Sequence, residues 1–559
     1  MKKEKPHPWA KKYPASIDWN APLPARPLYG ILDDAVRDFP DQVFIDFLGK
    51  NYTYREINDL VARVARGLQD LGIAKGERVG LMLPNSPYYI VLYFAALRLG
   101  AVVVNFNPLY AAREVEQQVR DSGCRFVAAI DRPDIYGKLT PLLAQSCLEK
   151  IIVCRMAEIL PPLLSSLYPI FKYRDVIHVH DDSHNIDFAR LTANDGAFTP
   201  AVIDPENDLA VLQYTGGTTG TPKGAMLTHA NLSINVVQSG LLFPGLKRGQ
   251  EAMMAVLPFF HIFALTAILN ITVWLAGKII LLPSFDLGQV IKTIHKKRPT
   301  LFPAVPTIYT AINRYKNLNR YDLRSIKYCF SGGAPLPVEV KHDFERLTGC
   351  VLVEGYGLSE TSPVVSCNPV EGESRAGSIG LPVPGTIIEI VSLDDKKTLL
   401  PPRQDGEICV RGPQVMSGYW HRAKETAQVL DGPRLHTGDV GYMDEDGYTF
   451  VIDRIKDMIA VGGFKVYPRH VEEAIYQHPA VEECIVAGAT DLYRGQSVKA
   501  FITMRQGKTL SAVELKAFLN DKLSPIEIPR SIEFRESLPK TAVGKLSRRL
   551  MVEAEKDKS

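Results

Sequence analysis

The sequence predicts an α/β protein with a large N-terminal domain of two doubly wound sheets plus a small β-barrel subdomain, followed by a smaller α+β C-terminal domain. Three observations carry this. Apolar runs of strand length alternate with amphipathic helical periods up to about residue 130, which means parallel strands covered by helices on both faces. The alternation restarts beyond a Gly/Thr-rich stretch at 214–224. From 384 to 450 it gives way to short strands punctuated by Gly and Pro, the mark of an antiparallel β unit.

The elements follow in order. The basic N-terminus has no apolar run behind it, so residues 1–27 read as an arm and not as a secretory signal. Thr53 and Glu56 form a capping box, and Ile57, Leu60, Val61, Val64, Leu68 and Leu71 repeat at helical spacing until Gly72. Strands are expected at 79–83, 102–104 and 126–130, with helices at 88–99 and 113–122 between them. In the second α/β unit, helices are expected at 287–297 and 338–347, and strands near 301–302, 328–330 and 351–353. Strands at 387–391 and 406–410 belong to the β subdomain. The charged run Asp453-Arg454-Ile455-Lys456-Asp457 marks the boundary between a large domain, 28–453, and a C-terminal domain, 454–559. Helices at 469–477 and 515–523 and strands at 483–487 and 500–504 complete that domain.

A chain of 559 residues exceeds one hydrophobic core, given roughly 100–200 residues per domain. Hydrophobic content of 46% and charged content of 23% are those of an ordinary globular protein. A net charge of +3 gives no reason to invoke nucleic acid and leaves small molecules as the expected partners. The 8 cysteines are scattered with no C-x-x-C pair, which fits a reducing cytoplasm and neither a zinc site nor a disulfide framework. The apolar run 262–277 ends at Lys278, short of the about 20 residues a spanning helix needs; a buried helix followed by a strand at 279–282 is the expectation. The proline-broken run 160–171, flanked by Lys172 and Arg174, has two readings: a segment dipping into a membrane surface, or an insertion packed on its own domain.

The stretch Tyr214-Thr215-Gly216-Gly217-Thr218-Thr219-Gly220-Thr221-Pro222-Lys223-Gly224 carries the clearest chemistry. Glycines let N–H groups turn toward an anion, threonines add donors and Lys223 adds charge, as a phosphate cradle needs. It is not the Walker pattern, because Lys223 is followed by Gly224 and not by Ser or Thr. Glu354-Gly355-Tyr356-Gly357-Leu358-Ser359-Glu360-Thr361 begins where a parallel strand ends, the place where open α/β sheets bind ligands. Tyr356 offers a face for an adenine to stack on and Glu360 an oxygen for Mg²⁺; a packing aromatic and a surface carboxylate are the plain alternatives. Gly357 to Thr361 falls one glycine short of a nucleophile elbow. In His436-Thr437-Gly438-Asp439 the carboxylate is suited to accept from both ribose hydroxyls, with a turn or cap aspartate as the alternative. His261, flanked by aromatics, reads as a core histidine, and Lys545, with Arg548 and Arg549, as part of a solvated basic tail.

These motifs together, from about Leu28 to Arg549, resemble the AMP-forming adenylating enzymes: the acyl-CoA synthetases, luciferases and peptide-synthetase adenylation domains. The resemblance implies that Thr215, Gly216, Gly217, Thr218, Thr219, Gly220 and Lys223 wrap the ATP phosphates. It implies that Gly333, Ala334 and Pro335 wall the adenine slot, with Glu354, Gly355, Tyr356 and Gly357 opposite and Thr361 near the α-phosphate. Glu360 with Thr215 would hold Mg²⁺, Asp439 and Arg454 the ribose, and His261 would wall the acyl carboxylate. The resemblance also implies a mobile C-terminal domain, with Lys456 at its hinge, Lys545 in the place of the catalytic lysine, and Gly462, Gly463 and Phe464 in the loop that lines the CoA tunnel. Leu265 stands in a segment that some long-chain relatives close with a bulky aromatic, so the gating of an acyl tunnel does not carry over.

The resemblance is greatest to bacterial long-chain fatty acid:CoA ligases, with ATP, CoA and a fatty acid as substrates and Mg²⁺ as cofactor. An aryl- or medium-chain acyl-CoA ligase is the alternative, and a non-catalytic fatty-acid-binding or uptake protein a more distant one, which retention of Glu360 and Lys545 opposes. The expected setting is cytoplasmic, with peripheral membrane contact and a homodimer left open.

Overall fold

The computed structural model describes residues 7–171, 176–177, 182–215, 222–462, 464–491, 493–541 and 546–556. The chain forms two compact units: Tyr13–Ile387 with Arg411–Pro433, and Met1–Lys12 with Ile388–Val410 and Arg434–Ser559.

The larger unit is built on a seven-stranded sheet, in the order Asn185–Asp187, Lys150–Cys154, Phe126–Ile130, Arg78–Met82, Val102–Asn105, Leu209–Thr215 and Lys223–Thr228. Neighbours are parallel except for the last pair, an antiparallel hairpin. The helix Tyr54–Asp70 starts on the capping box of Thr53 and Glu56. The helix Pro87–Arg98 is buried along its whole length, which explains why its sequence is apolar all round.

A second four-stranded sheet runs Ala252–Ala255, Lys278–Leu281, Val43–Phe47, Lys50–Thr53, and a third Tyr328–Ser331, Val351–Gly357, Val364–Cys367, Leu381–Pro382. The strand expected at 301–302 is reduced to single bridges from Leu301 to Met253 and to Tyr328, which join these two sheets. Pro303, next in the chain, has no N–H to extend it.

Two other expectations change. The run 262–277 is helical, but its middle, Leu265–Asn270, has the wider π geometry between Ile262–Ala264 and Ile271–Trp274. The run expected to be broken by proline forms one helix, Pro162–Phe171, which continues through Pro169 and exposes Leu163, Leu164 and Leu167. Pro162 sits at its first position, where no N–H is needed.

In the smaller unit Gly406–Arg411 and Thr449–Arg454 pair antiparallel with Arg434–Met443. A further sheet runs Phe464–Val466, Ile459–Val461, Gly495–Met504, Val481–Asp491, with Ser531–Phe534 added parallel to Gly495–Met504. The helices Pro468–Tyr476 and Ala512–Leu519 cover it through Val471, Ile475, Leu515 and Leu519. All eight cysteines are free thiols. Among the described residues no helix is long and apolar enough to cross a membrane.

Candidate functional site

The glycine-rich stretch closes the hairpin whose last register pair is Thr215 with Lys223. Gly216, Gly217, Thr218, Thr219, Gly220 and Thr221 lie outside the described residues. The base of the hairpin is tied to Asp121: the Tyr214 hydroxyl donates to it at 2.7 Å and Arg422 at 2.6 Å, while the Trp420 indole N–H donates to the Asp121 carbonyl at 3.1 Å. Burial, with Asp121 beside it, holds the Tyr214 hydroxyl well above its usual pKa, so it stays a donor. A Cβ at Gly224 would come within 3.2 Å of the Tyr214 ring.

Lys223 and Glu360 meet on one side chain that the sequence reading did not single out. The Lys223 ammonium lies 5.2 Å from the centre of the Tyr419 ring, and the Tyr419 hydroxyl donates to Glu360 Oε1 at 2.7 Å. Thr361, next in the chain, is fully buried, and its hydroxyl donates to the Pro363 carbonyl at 2.5 Å while accepting from Leu358 N–H at 3.0 Å.

Ser331, the last residue of the strand Tyr328–Ser331, is the register partner of Glu354, midway along Val351–Gly357, and theirs is the last parallel pair between the two strands. The turn that follows exposes Gly333 and Pro335, with Ala334 half-buried between them, and Tyr356 is half-buried opposite Ser366. A Cβ at Gly355 would lie 2.3 Å from the Phe330 ring, so this packing requires glycine. Phe330 in turn packs on Phe263, with centroids 5.6 Å apart, and walls an apolar cavity with Leu242, Phe243, Met253, Ala267 and Tyr328.

His261 caps the helix that starts at Ile262, its Nδ1 accepting from Phe263 N–H at 3.3 Å. The loop before it is held by a buried polar chain absent from the sequence reading. Asn85 brackets Leu257 and Phe259, the Tyr89 hydroxyl reaches the Phe259 carbonyl, and Gln213 donates to the Phe260 carbonyl at 3.0 Å and accepts from Asn105 at 3.0 Å. Single polar residues inside apolar strands were the available signal, since a buried amide must find partners.

In the smaller unit Asp439, 4% exposed, pairs with Arg454 at 3.2 Å across adjacent strands. Its turn is held by the buried Glu407, which bonds His436 Nδ1 at 2.9 Å and accepts from Gly438 N–H at 3.0 Å. Gly438 has φ of +73°, which favours glycine. Glu407, Cys409 and His436 place ligand atoms within 4.8 Å of one another, and these hydrogen bonds account for the cluster.

Lys456 lies in the single turn Ile455–Asp457. Gly462, with φ of +58°, and the exposed Phe464 flank the turn between Ile459–Val461 and Phe464–Val466, while Gly463 lies outside the described residues. Lys545 lies outside them too; the bridge from Lys540 to Leu546 and the bond from Ser547 N–H to the Pro539 carbonyl bracket its loop. Arg548 is no solvated tail residue: it pairs with Asp457 and Glu472 at 2.9 Å each and with Asp453 at 3.5 Å.

Parallel strands that lead into glycine-bearing turns, together with a hairpin that brackets a glycine-rich stretch, are features of nucleotide-dependent α/β enzymes. The family model for AMP-binding enzymes matches residues 32–420, and that for the AMP-binding enzyme C-terminal domain matches 470–545; the chain belongs to the AMP-binding enzyme family. It is 44% identical to a long-chain-fatty-acid–CoA ligase of Bacillus subtilis, over 98% of both chains. It is 36% identical to a long-chain-fatty-acid–CoA ligase of Escherichia coli O6:H1, over 97% of both. Among solved structures it is similar to the anthranilate CoA ligase AuaEII in complex with anthranoyl-AMP, at 27% identity and a TM-score of 0.83, over 96% of this chain and 98% of that one.

Proposed function

We propose that the protein activates long-chain fatty acids with ATP and CoA. A carboxylate oxygen of the acid attacks the α-phosphate, forming a P–O bond and releasing pyrophosphate; the CoA thiolate then attacks the acyl carbonyl of the acyl-AMP, and AMP leaves. The observation that carries the acid class is the apolar cavity walled by Phe330, because Ser331, the next residue, opens the turn assigned to adenine. An alkyl chain in that cavity would have its carboxylate near the strand ends where the nucleotide binds.

Charge that builds on the phosphate oxygens requires aimed cations and N–H donors. We assign this work to Lys223, the loop 215–220 and Lys545, the ribose to Asp439 and Arg454, and the wall beside the acyl carboxylate to His261. Mg²⁺ fits Glu360: it is a hard cation, and this carboxylate keeps one oxygen and further lone pairs free of the Tyr419 bond. When bound, the ion would neutralise phosphate charge. A panel of alkyl and aryl acids in a pyrophosphate-release assay tests the reading: highest kcat/KM with long alkyl acids supports it, and preference for aryl acids overturns it.

A further inference from the structure

Tyr419 belongs to no motif in the sequence reading, yet it links the Lys223 ammonium to the Glu360 carboxylate. The segment 417–420 runs along the outer edge of the strand Lys223–Thr228: Ser417 N–H donates to the Met226 carbonyl at 3.0 Å, Met226 N–H to the Gly418 carbonyl at 2.9 Å, and Trp420 N–H to the Gly224 carbonyl at 2.8 Å. This pairing fixes the Tyr419 backbone against the base of the loop. Its ring then lies 5.2 Å from the Lys223 ammonium and its hydroxyl 2.7 Å from Glu360 Oε1. Met416, the residue just before that segment, donates its N–H to the Glu360 backbone carbonyl at 2.8 Å. Tyr419 is 8% exposed, and its hydroxyl is the donor in the bond to Glu360.

We propose that Tyr419 is a positioning residue with two separable parts: its hydroxyl orients Glu360 toward the divalent cation, and its ring face steers Lys223 toward the ATP phosphates. The proposal rests on the roles assigned above to Glu360 and Lys223. A free carboxylate rotates, and a hydrogen bond to one oxygen sets the direction of the other, as outer-shell partners do for metal ligands. The negative face of an aromatic ring draws an ammonium without neutralising it, which leaves the lysine its charge for phosphate.

Calorimetric titration of ATP into the full-length protein, with and without Mg²⁺, separates the two parts. Tyr419→Phe keeps the ring and loses the hydroxyl: the gain in ATP affinity that Mg²⁺ provides should shrink on the order of tenfold, the scale of one hydrogen bond to a charged group, with Mg²⁺-free binding and Tm unchanged. Tyr419→Leu should in addition weaken Mg²⁺-free binding by about threefold. If the leucine variant does not fold, the phenylalanine variant and its double mutant with Glu360→Gln still decide, because the double mutant should be no worse than Glu360→Gln alone. Glu360→Ala tests the underlying reading: an intact Mg²⁺ effect there overturns the metal role of Glu360 itself. Loss of the Mg²⁺ effect in Glu360→Ala, together with a wild-type effect in Tyr419→Phe, overturns the role of Tyr419 alone.

Discussion

The Asp439 carboxylate stands 3.2 Å from the Arg454 guanidinium on a register pair of two antiparallel strands, with the acid buried and the base half-exposed. The ribose role proposed for this carboxylate is one in which its oxygens accept from the ligand hydroxyls. Asp439→Ala should therefore raise the Kd for ATP by about tenfold to a hundredfold, the loss of a charge-assisted hydrogen bond. The half-exposed Arg454 remains solvated, so the fold should survive. Unaltered ATP affinity in a folded variant would remove Asp439 from the ribose site.

Lys545 and Lys456 should separate the two half-reactions. Lys545→Ala should lower acyl-AMP formation by on the order of 10²–10³, the scale of one electrostatic stabiliser, and should convert supplied acyl-AMP and CoA at close to the normal rate. Lys456→Pro, which stiffens φ in the turn Ile455–Asp457, should spare adenylation and slow thioester formation. Stopped-flow measurement of each half-reaction checks both; equal losses in both steps for both folded variants would sink the adenylation role of Lys545 and the hinge role of Lys456.

Acid should destabilise the larger unit through His229. Its ring is fully buried, Nδ1 accepts from Leu28 N–H at 3.1 Å, and Nε2 has no partner among the described residues. Burial pushes its pKa down from the usual 6.5 to about 4. The folded protein then binds this proton less readily than the unfolded chain, so its contribution is whole above the unfolded pKa and is lost as pH falls through that window to the folded pKa. The loss reaches about 3 kcal/mol at the bottom of the window. His229→Gln, whose amide oxygen can still accept from Leu28, should show a shallower fall in Tm over the same range; an equal slope in both proteins would refute the assignment.

Acyl-chain length should respond to Ala267, which lines the apolar cavity from within the π-helical segment Leu265–Asn270. Ala267→Phe should cut kcat/KM for long acids on the order of tenfold to a hundredfold, the scale of displaced methylenes in an apolar pocket. Short acids should be spared. A uniform loss across chain lengths with unchanged Tm would place the acyl chain elsewhere.

The sequence by itself determined what local signals decide. Alternating strand and helix patterns specified the α/β class, the Thr53/Glu56 capping box began its helix where expected, and the helix Leu287–Lys297 occupies the predicted residues. Caps, glycine stops and hydrophobic period act within a few residues, so one window of sequence contains them. The glycine-rich motifs, too, showed which family the chain resembles. Only the tertiary structure decided that the glycine-rich loop closes an antiparallel hairpin, that Pro169 leaves a helix unbroken, and that the strand expected at 301–302 shrinks to bridges. It alone brought Tyr419 to Glu360 across 59 positions and Arg422 to Asp121 across 301. A tyrosine or an arginine carries no local mark of such a partner, because the cost of an unpaired buried polar group is set by what the folded chain brings beside it.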